Sequence, residues 1–199
     1  MSYVKSPKTK RGEQTLEKIC AAAEELFAQR GYYATEIHDI TQKAGVATGT
    51  FYTYFPDKMS VFLHLTDKLG RDLRRALKKA KLENPSASFV ENERIGFRVW
   101  FSFIVEHYAI FRMVWQAQFV DPELFRNYYE RFSKGYIEEL TNAQNAGEIR
   151  KLDPTVISYA LMGIHTFVGL KYFTFDEVEP DDKTIDTLID FITHGLLEK

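Results

Sequence analysis

Apolar residues recur at helical spacing along almost the whole chain. The first set begins at Leu16 and continues three, four, seven and eleven residues later with Ile19, Cys20, Ala23 and Phe27. This spacing places the set on one face of a helix, and Gly31 is a suitable residue to end that helix. Two short helices are predicted next, one with Thr35 as its N-cap and its end at Gly45, the other over about Thr48 to Tyr54.

Longer helices are predicted for the remainder of the chain. Three aspartates mark helix starts next to prolines, at Pro56-Asp57, Asp121-Pro122 and Asp153-Pro154. The first of these helices runs from Lys58 to about Lys81. The second runs from Asp121-Pro122 to about Ala146, and the third from Asp153-Pro154 to about Phe173. Another helix carries Phe97, Trp100, Phe101, Ile104 and Tyr108, and a last one begins at Pro180. Since no segment shows the alternation of a strand, we expect an all-α chain of about nine helices.

One stretch is unlike the rest because it carries no charge. From Ala44 to Pro56 there is no acidic or basic residue, and two short helices meet at Gly45, which is the pattern of a helix-turn-helix. Val46, Phe51 and Phe55 are expected to point inward. The outward residues are expected to be Thr48, Gly49, Thr50, Tyr52, Thr53 and Tyr54.

The chemistry of this surface suits a polyanion. Short hydroxyls can reach base edges and phosphates, a glycine admits close approach of the backbone, and no carboxylate is present to repel DNA. Residues 1–12 add four basic residues and no acid, whereas residues 153–199 carry nine acids against three lysines. A solvated tail would also explain the basic arm, and a buried aromatic turn would also explain the uncharged stretch, but together they favour DNA binding.

The run from Gly31 to Lys58, with GVATGTFYTYFPDK at its end, resembles the N-terminal domain of the tetracycline-repressor (TetR) family over about residues 12–60. The resemblance implies that Thr35, Tyr52, Tyr54 and Lys58 contact phosphates. It also implies that Thr48, Gly49, Thr50 and Thr53 lie at or near base edges. Ala47 departs from the family, since many members carry a Ser there that caps the helix, and Thr48 or bound DNA would have to replace that cap.

The chain is accordingly predicted to have a DNA-binding domain at 1–57 and an effector-binding and dimerisation domain at 58–199. Residues 86–140 are rich in aromatics, and pockets in helical bundles are lined mainly by such residues. The candidate effector-binding residues are Phe97, Trp100, Phe101, Ile104, Tyr108, Trp115, Phe119, Phe125, Tyr129 and Phe132. Most of them could equally be ordinary core. Interleaved arginines suit an acyl-CoA or a fatty acid, and a planar aromatic compound is the competing prediction.

The last two helices each carry an apolar stripe. The candidate dimer-interface residues are Ile157, Leu161, Ile164, Val168, Leu188, Ile189, Ile192 and Leu196. The resemblance implies that these helices form a four-helix interface with a second copy, a homodimer. The alternative is ordinary packing within the chain.

Other functional classes are disfavoured by what the sequence lacks. None of the five histidines has metal-ligand spacing, and no nucleophile or phosphate-loop motif occurs, so neither a metal, a cofactor nor enzymatic activity is expected. The single cysteine, Cys20, excludes an internal disulfide and suits the cytoplasm, and the apolar runs are too short for a membrane span. The predicted function is a ligand-responsive homodimeric transcriptional repressor, which binds a near-palindromic double-stranded DNA operator and is released by a small apolar or amphipathic effector. The alternatives are a small-molecule carrier or enzyme that uses the aromatic cavity, and a DNA-compacting protein.

Overall fold

A computed structural model describes residues 3–196, apart from the side chain of Ile110. That part of the chain folds into nine α-helices and one π-helix, which confirms the prediction of an all-α protein. The helices are α1 Lys10–Arg30, α2 Ile37–Ala44, α3 Thr48–Tyr54, α4 Lys58–Glu83, α5 Phe89–Glu106, α6 Tyr108–Val120, α7 Pro122–Asn145, α8 Pro154–Gly169, the π-helix Leu170–Asp176 and α9 Asp182–Leu196.

Three helices begin where the aspartate–proline pairs predicted. The carboxylate of Asp57 accepts the Ser60 N–H at 2.7 Å, that of Asp121 accepts the Leu124 N–H at 3.1 Å, and that of Asp153 accepts the Thr155 N–H at 2.8 Å. Each carboxylate thereby satisfies one of the N–H groups that the first turn of a helix leaves without an intrahelical partner. These caps fix the starts of α4, α7 and α8.

The start of α2 differs from the prediction by one residue. Glu36 rather than Thr35 occupies the N-cap position, and its N–H donates to the Asp39 carboxylate at 3.0 Å. Thr35 is fully buried, and its hydroxyl donates to the carbonyls of Gly31 at 2.8 Å and Leu26 at 3.3 Å. The hydroxyl therefore closes the α1–α2 turn from inside instead of capping α2.

Two further boundaries are also corrected. The helix predicted to run through Tyr108 ends at Glu106, and Tyr108 begins the separate helix α6. The last helix begins at Asp182 rather than at Pro180, because the Asp181 carboxylate accepts the Thr184 N–H at 2.8 Å and caps it. No proline or glycine marks the α5–α6 break in the sequence, so helical spacing alone could not reveal it.

The described residues form two compact units. The first contains the residues up to Arg71 together with His107–Tyr128, and the second contains Asp72–Glu106 and the residues from Tyr129 onward. Helix α6 therefore belongs to the same compact unit as the helix-turn-helix, although the predicted domain boundary lies after residue 57. The division into a DNA-binding and an effector-binding domain remains a prediction about function.

The core of the first unit is built from the predicted apolar face of α1 and from aromatic residues that follow it. Phe27 is fully buried and meets Phe62 of α4 edge to face, with ring centroids 5.5 Å apart. Ile40, Phe51 and Phe55 are also fully buried. Phe51 and Tyr54 are on the inward side of α3, and Thr48, Gly49, Tyr52 and Thr53 on its other side are exposed.

In the second unit, α5 packs against α8 and α9. Phe97, Phe101 and Ile104 of α5 are almost completely buried, and Ile185 and Ile189 of α9 are 4% exposed. Apolar burial of this extent is the main stabilising contribution to such a bundle.

One helical segment corrects the expectation about apolar length. Pro154–Asp176, which joins α8 to the π-helix, is long and apolar enough to cross a membrane by length and composition alone. Only 22% of its most apolar window is buried inside the chain. Its exposed apolar side chains include Val156, Phe167 and Phe175.

Candidate functional site

The outward face of α3 is exposed and uncharged, as predicted. Thr48, Gly49 and Thr53 are exposed, Thr50 is half-buried, and Tyr52 is 49% exposed. The helix follows Gly45, whose φ of 66° lies in the left-handed region that favours glycine. The turn thus presents a short row of hydroxyls and one phenol to the solvent.

The start of α3 lacks a side-chain cap, in agreement with the sequence. Ala47 is the N-cap residue and offers no side-chain acceptor. The Thr48 hydroxyl instead lies 3.5 Å from the Thr41 hydroxyl of α2. This contact joins the two helices across the turn but leaves the first N–H groups of α3 uncapped by a side chain.

Two of the predicted phosphate contacts are placed inside the unit. The Thr35 hydroxyl is engaged in the α1–α2 turn, and Tyr54 is 8% exposed. A phosphate contact from the Thr35 hydroxyl would require breaking its bond to the Gly31 carbonyl. The structure therefore brings Thr35 and Tyr54 to the core below α3 and leaves Tyr52 as the exposed phenol.

The side chain of Lys58 holds the turn between α1 and α2 in place, in addition to carrying a positive charge. Its ammonium donates to the carbonyls of Tyr32 at 3.0 Å and Thr35 at 2.6 Å, and it lies 4.6 Å from the centroid of the Tyr32 ring. An ammonium has three N–H donors, so one is left for another acceptor. The first turn of α4 is thereby tied to the turn that precedes α2.

The basic arm, residues 1–12, runs beside the end of α3 over the residues that the structure describes. The Lys5 N–H donates to the Tyr54 carbonyl at 2.9 Å, and the Thr9 hydroxyl accepts the Gly12 N–H at 3.1 Å, which caps α1. Lys5 and Lys8 are exposed. The arm is therefore attached to the unit that carries α3 and brings positive charge to it.

A glutamine of α6 is bonded to the end of α1. The side-chain carbonyl of Gln116 accepts the Tyr32 N–H at 2.8 Å, and its amide donates to the Phe27 carbonyl at 3.0 Å. Nearby, the Tyr33 hydroxyl donates to the Phe119 carbonyl at 3.0 Å. Helix α6 thus holds the same turn that Lys58 holds from α4, a role that spacing alone did not reveal.

The predicted effector-binding residues are divided between the two units. Phe97, Trp100, Phe101 and Ile104 are buried, and Tyr129 and Phe132 half-buried, in the second unit. Tyr108, Trp115 and Phe125 are half-buried in the first unit, where Phe119 is 74% exposed. Within the second unit, Phe97, Trp100 and Phe101 form one cluster, with neighbouring ring centroids 5.5 to 5.8 Å apart.

Two members of this aromatic cluster were not anticipated. Phe173 of the π-helix contacts both Trp100 and Phe101, at centroid distances of 6.2 and 5.9 Å. His165 of α8 stacks on Phe97 at 3.8 Å with an interplanar angle of 6°. In the sequence, the five histidines were notable only for lacking the spacing of metal ligands, which says nothing about packing against aromatic rings. The position of His165, four residues after Leu161, would have indicated that its side chain lies on the inward face of α8.

The arginines that suggested an anionic effector, Arg98 and Arg112, lie at the surface. Arg98 donates to the Asp182 carboxylate at 2.9 Å, and Arg94 forms an ion pair with Asp186. Arg112 is exposed on α6. None of these three guanidinium groups is positioned as the anion-binding group of an enclosed aromatic site.

The predicted dimer-interface residues lie on two sides of α8 and α9. Leu161, Ile189, Ile192 and Leu196 are buried within the second unit, whereas Ile157, Ile164, Val168 and Leu188 are half-buried. The most exposed apolar side chains on these helices are others, namely Val156, Tyr159, Phe167 and Phe191. The apolar stripes are wide enough to supply both an internal face and an external one. Half of the residues predicted for the dimer interface lie on the internal face.

A buried carboxyl group lies in the second unit. Glu93 of α5 is 5% exposed, and the Tyr136 hydroxyl of α7 donates to its carboxylate. Burial raises the pKa of Glu93 to about 7, because removal from water disfavours the charged form. This group carries no sequence signal, since an isolated Glu on a helix is ordinarily exposed.

Metal-binding geometry and the reactivity of the single cysteine can be examined over the part of the chain that the structure describes. No three His, Cys, Asp or Glu side chains there are placed to hold a metal ion. Burial raises the pKa of the Cys20 thiol to about 12, which keeps it protonated and unreactive.

Comparisons with known proteins agree with this geometry. The family described as bacterial regulatory proteins, tetR family, matches residues 19–65. The transcriptional regulator EthR of Mycobacterium tuberculosis (strain H37Rv) is 36% identical over 95 residues, which cover 47% of this chain and 44% of EthR. The fatty acid metabolism regulator protein of Bacillus subtilis is 37% identical over 59 residues, 29% of this chain and 30% of that protein. The chain thus aligns with less than half of the length of these relatives.

The fold of the whole chain is matched by solved structures. A proposed fatty acid metabolism regulator from Clostridium perfringens superimposes with a TM-score of 0.78 at 26% identity, over 92% of this chain and 100% of that one. The match includes the helices beyond the helix-turn-helix, so the resemblance is not confined to residues 19–65. Residues 19–65 therefore form a helix-turn-helix domain of the tetR family of bacterial regulatory proteins, as the sequence predicted, and the remaining helices share the fold of this solved structure.

Proposed function

We propose that the protein is a homodimeric repressor that binds a near-palindromic operator and is released from it by a small apolar or amphipathic effector. The observation that supports this most directly is the exposed, uncharged face of α3, with Thr48, Gly49, Tyr52 and Thr53 outward. In a dimer, two such helices would enter successive major grooves about 34 Å apart, so the operator would repeat with two-fold symmetry.

The dimer is proposed to form through α8 and α9. Val156, Phe167 and Phe191 are 63%, 67% and 69% exposed, and apolar side chains grouped at this exposure are typical of association surfaces. A covered interface also accounts for the apolar character of Pro154–Asp176 without a membrane. We therefore propose action on chromosomal DNA in the cytoplasm and no membrane partner.

The effector is proposed to bind in the aromatic cluster of the second unit, which contains Phe97, Trp100 and Phe101. Burial among apolar rings is what holds most small ligands in helical bundles. The relatives named as regulators of fatty acid metabolism make an amphipathic effector a reasonable class.

The proposal is tested by measuring sequence-specific binding to the DNA upstream of the protein's own gene, with fluorescence anisotropy at moderate salt as the readout. Tyr52→Phe is expected to weaken operator binding about 25-fold, since each dimer loses two hydrogen bonds to phosphate of about 1 kcal/mol each. Wild-type affinity that is equal for the upstream DNA and for a scrambled duplex would refute the proposal.

The basic arm is expected to contribute affinity that does not depend on sequence. Replacing Lys5, Lys8, Lys10 and Arg11 by Gln keeps the Thr9 cap but removes four charges. The slope of log affinity against log salt should fall by up to about 0.9 for each lost phosphate contact. A variant with Gln at the exposed Lys78 and Lys79 of α4 serves as the control, and an arm variant with an unchanged slope would show that the arm does not reach DNA.

The Gln116 bonds are expected to stabilise the turn that positions the helix-turn-helix. Gln116→Leu leaves the Tyr32 N–H without its acceptor and should lower the free energy of unfolding by about 2 kcal/mol. Gln118→Leu is the matched control, because the Gln118 amide donates to Trp115 within the same helix. Urea denaturation would measure the free energy of unfolding of both variants. An equal decrease in the two would show that the Gln116 bonds do not stabilise this turn.

A further inference from the structure

The inward face of α8 carries a histidine whose second ring nitrogen is not used by the protein. The Nδ1 atom of His165 lies 2.9 Å from the Leu161 carbonyl. A carbonyl oxygen can only accept, so Nδ1 carries the proton. Burial lowers the pKa of His165 to about 4, and the ring is therefore neutral near pH 7. Nε2 is left as a hydrogen-bond acceptor with a free lone pair.

This acceptor is reachable from outside the packed atoms. No group among residues 3–196 forms a hydrogen bond with Nε2. The same residues contain no fully buried side-chain nitrogen or oxygen without a partner. It follows that Nε2 is not fully enclosed by protein atoms, although one face of the ring is covered by Phe97.

The surroundings of His165 are aromatic and shaped by the local backbone. Trp100 meets the imidazole edge to face at a centroid distance of 5.8 Å. A Cβ on Gly169 would lie 2.3 Å from the Trp100 ring, so the indole occupies the space where a side chain would otherwise be. From Leu170 to Asp176 the chain is π-helical, a conformation that is rare and is frequent at functional sites.

The two arginines of α5 are engaged by carboxylates at the surface rather than by this aromatic cluster. Arg94 and Arg98 of α5 are engaged by Asp186 and Asp182 of α9 at the surface. A neutral imidazole whose free nitrogen only accepts repels a carboxylate or phosphate oxygen, which also only accepts. A ligand that satisfies Nε2 must bring a donor.

We propose that Nε2 of His165 is the hydrogen-bond acceptor of the effector site, and that the effector is an uncharged molecule with a hydroxyl or N–H donor on an apolar skeleton. This rests on the proposed ligand-responsive function and narrows its effector class. It places no free carboxylate or phosphate at this position, in contrast to the anionic ligands that the arginines of the sequence suggested.

The test is calorimetric titration of the full chain with three probes of similar shape: 4-ethylphenol, ethylbenzene and 4-ethylbenzoate. The phenol is expected to bind about fivefold more tightly than ethylbenzene, through one added hydrogen bond, and 4-ethylbenzoate is expected to bind most weakly. His165→Phe keeps a ring against Phe97 but removes the acceptor, and should abolish the preference for the phenol. His194→Phe, at a surface histidine of α9, should retain it.

A measurement on the wild type keeps the proposal testable if His165→Phe does not fold. Nitrogen NMR of His165 should show a bare Nε2 whose resonance moves when 4-ethylphenol is added but not when ethylbenzene is added. Equal binding of the three probes, tighter binding of 4-ethylbenzoate, or no binding of the phenol by the wild type would each overturn the proposal. Phenol binding that depends on His165 but leaves operator affinity unchanged would support this site while refuting the effector-controlled repressor.

Discussion

Phe191→Asp is expected to separate the proposed homodimer into protomers. Phe191 is 69% exposed in the single chain, and burying a phenylalanine side chain stabilises association by about 1.5–3 kcal/mol. Two-fold symmetry doubles the effect, because each dimer contains the residue twice. The dimer dissociation constant should therefore rise by about two to four orders of magnitude. The aspartate would add the cost of placing a carboxylate in an apolar interface.

Analytical ultracentrifugation over a range of protein concentrations measures the change, and operator anisotropy should show a parallel loss of affinity, since a protomer reads only one half-site. Leu82→Asp is the control. Leu82 is 70% exposed at the end of α4 and lies outside α8 and α9, so its variant should remain dimeric. If Phe191→Asp sedimented as the wild type does, the interface would have to lie on another surface.

Helix starts could be predicted because their causes are local. Asp57, Asp121 and Asp153 each lie next to a proline at a helix start, and each carboxylate accepts an N–H of its own first turn. The α3 surface could be predicted for a similar reason, since its inward Phe51 and outward Tyr52 are neighbours on one short helix. Such features depend on a few consecutive residues, which a single sequence displays.

Features that depend on distant residues could not be predicted in this way. The Thr35 hydroxyl looks available for a phosphate in the sequence, but it is enclosed by carbonyls of α1. Gln116 lies 84 residues from Tyr32 along the chain, yet its side chain accepts that N–H. Similarly, helical periodicity marks Leu161 and Phe167 as equally apolar, whereas only Phe167 is exposed. Which face of an apolar helix is internal is decided by the helices that pack against it.

Glu93 gives the second large expected effect, on stability as a function of pH. Burial raises its pKa from 4.5 to about 7, while the bond from Tyr136 opposes the change, Glu139 adds to it and Lys81 reduces it. Between these two pH values the unfolded chain has lost the proton and the folded chain retains it. The free energy of unfolding contributed by this group therefore falls as pH rises through this window. At about 1.4 kcal/mol for each pKa unit, the loss approaches about 3 kcal/mol above pH 7.

Glu93→Gln removes the ionisation while keeping an oxygen that can accept the Tyr136 hydroxyl. The variant should unfold at the same urea concentration as the wild type near pH 4.5 and should be more stable by up to about 3 kcal/mol at pH 8. His165 titrates in both proteins and cancels in the comparison. Glu91→Gln, two residues earlier on α5, is the opposing control: Ser88 lowers the pKa of Glu91, so that carboxylate stabilises the fold at high pH and its loss should reduce stability there. A Glu93→Gln variant with no gain at pH 8, measured at the same protein concentration, would show that the buried carboxyl is not held protonated by the fold.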